Sequence, residues 1–155
     1  MVRSVLKTKK SAESFLIPIL FGLFAASFFV VFARAPEQVI GVSSDRALRA
    51  EGVSYEATAL HILRLTNVEQ SIPRMRSPVY ELSVRDGGIL NESVIRYRIP
   101  KELRSAPPHL LTFIVFDTKT LSWTSIPTTI DEKKEVASAT VPIHQVLMIG
   151  LGTIF

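Results

Sequence analysis

The chain has 155 residues, no cysteine and a formal net charge of +4 at pH 7. That length gives room for one domain with its own core, and the missing thiols exclude disulfides, thiolate catalysis, iron–sulfur clusters and cysteine zinc sites. The basicity is not a nucleic-acid footprint: residues 1–14 carry Arg3, Lys7, Lys9 and Lys10 against Glu13, whereas residues 34–155 balance fourteen basic with thirteen acidic side chains and show no clustered stripe.

Residues 1–14 read as a basic cytoplasmic tail. Residues 15–33 (FLIPILFGLFAASFFVVFA) follow, nineteen in a row without a charge. At a rise of about 1.5 Å per residue they span roughly the thickness of the hydrocarbon layer. The run is apolar on every face, unlike an amphipathic core helix. A cleaved signal peptide is the competing reading, since Ala33-Arg34-Ala35 has the small-x-small form of a cleavage site. Two features favour a retained transmembrane helix instead. The run exceeds the usual length of a signal core, and Pro36 would stand just after the cut, where its ring suits a protease strand poorly. The basic tail places the N-terminus in the cytoplasm and the C-terminal domain outside the cell membrane, and also suits contact with the anionic headgroups of a lipid bilayer. Gly22 and Ala26 have the small-xxx-small spacing at which two helices approach closely, which makes them a possible helix contact.

Residues 34–54 mix Pro, Gly, Ser and charges and read as a juxtamembrane linker. It would hold one short strand at 38–42 and a helical turn at 45–51 that Gly52 ends. From 55 to 155 the pattern becomes about seven short strands separated by turn residues. Residues 57–65 form the first. In 79–85 (VYELSVR) Tyr80, Leu82 and Val84 alternate with Glu81, Ser83 and Arg85, and Asp86-Gly87-Gly88 then turns the chain. In 93–99 Ile95, Tyr97 and Ile99 face inward, and Pro100 ends the strand. Residues 101–104 suit a helical turn. Residues 110–116 (LLTFIVF) suit a strand buried on both faces. A turn at 117–120 precedes a strand at 121–126 with Trp123 in the core, a charged turn at 130–135, a strand at 136–141 and a closing strand at 146–151. The fold class expected is therefore mainly β: a single N-terminal transmembrane helix, then an antiparallel, immunoglobulin-like β-sandwich.

The succession Val79-Tyr80-Glu81-Leu82-Ser83-Val84, Val94-Ile95-Arg96-Tyr97-Arg98-Ile99-Pro100, Phe116-Asp117, Trp123, Ile126-Pro127-Thr128 and a small-residue strand at 136–141 resembles the PGF-pre-PGF type of β-sandwich of archaeal cell-surface proteins. It is similar, more distantly, to the ZU5-like sandwiches. The resemblance covers roughly residues 57–152 and implies an extracytoplasmic surface module rather than an enzyme. Some ZU5-like relatives cut their own chain at a His-apolar-Ser/Thr step. The matching stretch here is His144-Gln145-Val146, with no hydroxyl to act as nucleophile.

No catalytic, cofactor or metal site is legible. His61, His109 and His144 lack metal spacing, Asp131-Glu132 lacks the acidic rhythm of a calcium loop, and no phosphate loop or GxSxG occurs. Asp117 reads as a turn residue that caps local N–H groups. Arg85, Arg96 and Arg98 would contact an anionic surface if a hairpin brought them to one face. Asn91-Glu92-Ser93 is a glycosylation sequon at Asn91. The function expected is a membrane-anchored, non-catalytic module that binds another membrane or surface protein and no nucleic acid. The alternative is an accessory single-pass subunit of a larger membrane complex.

Overall fold

In a computed structural model of the chain, the described residues are 18, 19, 22, 23, 35–55, 59–66, 68, 72, 74–85 and 88–154. The chain divides into two units, Met1–Ala35 and Pro36–Phe155. In the first, Pro18, Ile19, Gly22 and Leu23 are helical. The remainder of the run at 15–33, including Ala26, lies outside the described residues. Among the described residues no helix is long and apolar enough to cross a membrane.

The second unit is mainly β. Ten strands run in order: β1 Glu37–Val42, β2 Leu48–Ser54, β3 Leu60–Leu65, β4 Val79–Val84, β5 Ile89–Arg98, β6 Leu111–Asp117, β7 Ser122–Ile126, β8 Thr129–Asp131, β9 Val136–His144 and β10 Val146–Thr153. They make two five-stranded sheets, sheet A in the order β1-β2-β5-β9-β8 and sheet B in the order β3-β4-β10-β6-β7, with every pairing antiparallel. One core joins them: Leu48, Ile95, Tyr97 and Ile143 of sheet A pack with Tyr80, Leu82, Phe113 and Leu151 of sheet B. Each fully buried Leu, Ile or Phe side chain contributes about 2 kcal/mol.

Sequence expectations are corrected at several places. Residues 45–51 form no helical turn, and 34–54 is not a linker, because β1 and β2 are the first two strands of sheet A. In β2 Leu48, Ala50, Gly52 and Ser54 are buried while Arg49 and Val53 are exposed, which is strand period. Small inward side chains of the flanking strands face large ones of β5. Ile95 stands between Ala50 and Ala139, and Tyr97 between Leu48 and Ala137.

The second correction concerns residues 85–88. β4 belongs to sheet B and β5 to sheet A, so the chain crosses between sheets there and forms no hairpin; Asp86 and Gly87 lie outside the described residues. The third concerns 130–135. Ile130 and Asp131 pair with Ala137 and Val136 as part of β8, and only 132–135 turn. Leu121 likewise closes a turn and does not open β7.

The double-faced burial expected of 110–116 is present in β6. Phe113 enters the shared core. Ile114, on the other face, joins a second cluster with Ile72, Met75 and Val79. Around Met75 the chain runs beside β10, with an antiparallel bridge from Met75 to Gly152, and Arg76 and Ser77 N–H donate to the Leu151 carbonyl at 3.0 Å each. A Cβ on Gly152 would collide with the Arg74 carbonyl and with Ile114, so this close approach requires glycine. Trp123 packs against that outer cluster, 5.3 Å from the Phe116 ring, and not between the sheets. Its register partner is Phe116, whose side chain alternates away from Phe113.

Candidate functional site: the open face of sheet A

The outer face of sheet B is covered in part by its own chain, Ile72 and Met75 packing there with Val79 and Ile114, while Leu63 of β3 is left 60% exposed; on the outer face of sheet A no such cluster forms among the described residues. β1 presents Ile40 and Val42 and β2 presents Val53, between 46% and 53% exposed. Beside them the register builds cross-strand rows: Val42, Arg49, Arg96, Ser138 and Thr129 in one, and Ile40, Glu51, Val94 and Thr140 in the next. Arg49 and Arg96 stand directly opposite each other, an arrangement that like charges disfavour. Glu51 resolves it by accepting from both, from Arg49 at 3.3 Å and from Arg96. The Arg96 hydrogen bond is the main reason that the Glu51 carboxyl lies below its ordinary value.

Arg96 and Arg98 share this face, both exposed. Arg85 does not join them. It follows β4 in sheet B, and its N–H donates to the Ala59 carbonyl at 3.0 Å. The three arginines therefore form no single anionic contact.

Asn91 is exposed on β5, where a bulge sets Asn91 and Glu92 against the single residue Pro142 of β9. Proline has no N–H to offer the ladder, which is why the pairing breaks there. The third residue of the sequon, Ser93, is fully buried and its Oγ has no hydrogen-bond partner. Of the Gly22 and Ala26 pair only Gly22 is described, and a Cβ placed on it meets nothing within 4 Å.

Next to the short strand β8 a shallow cleft of about 320 Å³ is lined by Pro127, Thr128, Thr129, Ser138, Ala139 and Thr140. Its best-placed hydroxyl is already engaged: Thr128 Oγ1 accepts from Phe113 N–H at 2.8 Å and donates to the Ile126 carbonyl at 2.9 Å.

A polar thread absent from the sequence reading runs from a surface turn to the edge of the core. Asp45, in the turn between β1 and β2, accepts from Ser43 Oγ at 2.6 Å, from Ala47 N–H at 3.1 Å and from the Tyr80 hydroxyl at 2.8 Å. Arg64 lies 3.6 Å away. Burial pushes the Asp45 carboxyl up, but these donors together outweigh it and hold the group below its ordinary value. Burial and then the Asp45 hydrogen bond drive the Tyr80 hydroxyl far up, so it is a fixed donor. The Tyr80 and Tyr97 rings stand 5.8 Å apart, and burial raises the Tyr97 hydroxyl too. The spacing Ser43-Ser44-Asp45 is an Asx-type turn signal that could have found the first link; nothing local points from it to Tyr80.

Asp117 caps its turn as expected. Lys119 N–H donates to it at 2.8 Å and Thr120 Oγ1 at 2.9 Å, and the Lys119 N–H bond is the main cause of its lowered carboxyl. His61, His109 and His144 are all exposed. Among the described residues no group of three His, Cys, Asp or Glu could hold a metal. His144-Gln145-Val146 forms the corner between sheets, with Val84 N–H donating to the Gln145 carbonyl at 2.9 Å.

No protein-family model, curated protein or solved structure matches the chain.

Proposed function

We propose that this is a single-pass membrane protein with a cytoplasmic N-terminus, whose extracytoplasmic β-sandwich is a non-catalytic module that binds a partner protein through the outer face of sheet A. The observation that carries this reading is the contrast between the two outer faces. One carries, over part of its area, an apolar cluster built with the chain's own Ile72 and Met75. The other leaves Ile40, Val42 and Val53 exposed beside the Arg49–Glu51–Arg96 cluster. Apolar side chains rimmed by arginine are the composition of a protein interface. The immunoglobulin-like reading is supported by β1, β2 and β5 standing side by side. The pairing of β3 with β4 inside one sheet departs from the arrangement in which four strands make one sheet and three the other. The anchor and its orientation rest on residues 1–33 as sequence.

Purification of the full chain from native membranes in mild detergent tests the proposal. A complex larger than the chain and its micelle is expected, and Ile40→Asp with Arg96→Glu should release it. Leu63→Asp, on an exposed position of sheet B, should not. A lone chain in the unaltered sample, or equal release by Leu63→Asp, overturns it. Thiol labelling of Ser4→Cys and Ser105→Cys in intact cells checks the topology: only position 105 should react.

A further inference from the structure

One end of the sandwich gathers apolar side chains that folding does not need. The register puts the start of β1 there, Glu37 opposite Ser54, with Tyr55 next in the chain. Ile89 stands opposite His144 and Val146 opposite Ser83. The turn after the Asp117–Ser122 pair carries Leu121. Tyr55 is 70% exposed, Leu121 76%, Ile89 49% and Val146 47%. The connections at the other end carry Arg46, Lys101, Glu102, Lys133 and Lys134, all exposed, whereas at this end exposed charges such as Glu37, Arg85 and Lys119 are interspersed with the apolar side chains.

Leu121 is the most telling of the four. Its φ is 50°, a left-handed conformation that disfavours bulky side chains and suits Gly or Asn. Of the non-glycine residues with positive φ among the described residues, Leu121 is the apolar one, the others being Arg46, Arg74, Glu135 and Gln145. Only residues 34–36 separate the apolar run from β1, so at full extension roughly 14 Å of chain joins the two.

We propose that this end of the sandwich docks into the interfacial layer of a lipid bilayer, with Tyr55, Ile89, Leu121 and Val146 as the inserting side chains. The proposal rests on the reading of 15–33 as a membrane anchor. Apolar and tyrosine side chains of this kind settle at the boundary between headgroups and acyl chains, and the short tether keeps them within reach of it.

The test uses the full chain in phosphatidylcholine vesicles, with and without brominated acyl chains. The lack of native cysteine allows single nitrobenzoxadiazole labels at Leu121→Cys, Ile89→Cys and, at the far end, Lys133→Cys. Labels at 121 and 89 should shift to the blue and lose roughly half their emission to bromine, with 133 unchanged. Adding Tyr55→Glu and Val146→Glu should abolish the quenching at 121 without altering unfolding followed by Trp123 emission. Protein that floats with the vesicles while 121 and 89 behave like 133 overturns the docking and leaves the anchor standing. A blue-shifted but unquenched label means that protein, such as a second copy, covers this end, and also overturns it. Protein that does not float overturns both readings.

Discussion

The Asp45 carboxylate links turn and core through one hydroxyl. Tyr80 is fully buried, and its O–H donates to a charged acceptor in the opposite sheet. Tyr80→Phe should cost about 2 kcal/mol, the range for a hydrogen bond to a charged group, in denaturant unfolding followed by Trp123 emission. The pH dependence has a defined sign. Asp45 titrates below its ordinary 3.8 in the folded chain, so its contribution to stability is complete above that value and is lost as pH falls through the lowered folded one. Asp45→Asn should therefore be less stable than the unaltered chain at pH 7 and lose less stability below pH 3.8. Glu51, Asp117 and Asp131 are also lowered and act with the same sign in both proteins, so the difference between the two acid profiles isolates Asp45.

Individual elements hold their places through close approaches that admit only glycine. β1 meets β3 where a Cβ on Gly41 would stand 2.9 Å from the Leu60 carbonyl oxygen. β10 lies under the Arg74 backbone at Gly152, with an isolated bridge between Met75 and Gly152. Gly152→Ala should destabilise the sandwich by about 2 kcal/mol, an overpacking cost, since the obstructing atoms include backbone that cannot rotate away. The midpoint of urea unfolding reads this directly. Met75→Ala should also destabilise by roughly 2 kcal/mol by opening a void over β6, while leaving the shared core intact.

At the scale of the whole molecule, fold and recognition use different residues, so they separate experimentally. The Arg96–Glu51 pair is surface-exposed on the arginine side, 46%, and exposed pairs contribute little to stability. Arg96→Ala should change unfolding free energy by less than about 0.5 kcal/mol and still weaken the complex recovered from membranes. A large loss of stability in Arg96→Ala would assign the cluster to folding. Ile72 and Met75 pack on the outer side of sheet B, and among the described residues the chain builds no such cluster on sheet A.

The alternation in 79–85 and 93–99 identified the inward sets Tyr80, Leu82, Val84 and Ile95, Tyr97, Ile99 from sequence alone, because a pleat imposes period two on a half-buried strand. Asp117 was legible for a similar reason, since its partners lie within three residues. β2 was not: its inward Ala50 is small opposite the large Ile95 of β5, Gly52 and Ser54 add no apolar bulk, and such a stretch without its neighbours looks like linker. The place of Trp123 on the outer face is not legible, because periodicity gives alternation but not which side is the core. The separation of Arg85 from Arg96 and Arg98, and the span from Asp45 to Tyr80, depend on which sheet each strand joins. That choice is made by non-local packing and leaves no mark within a short window of sequence.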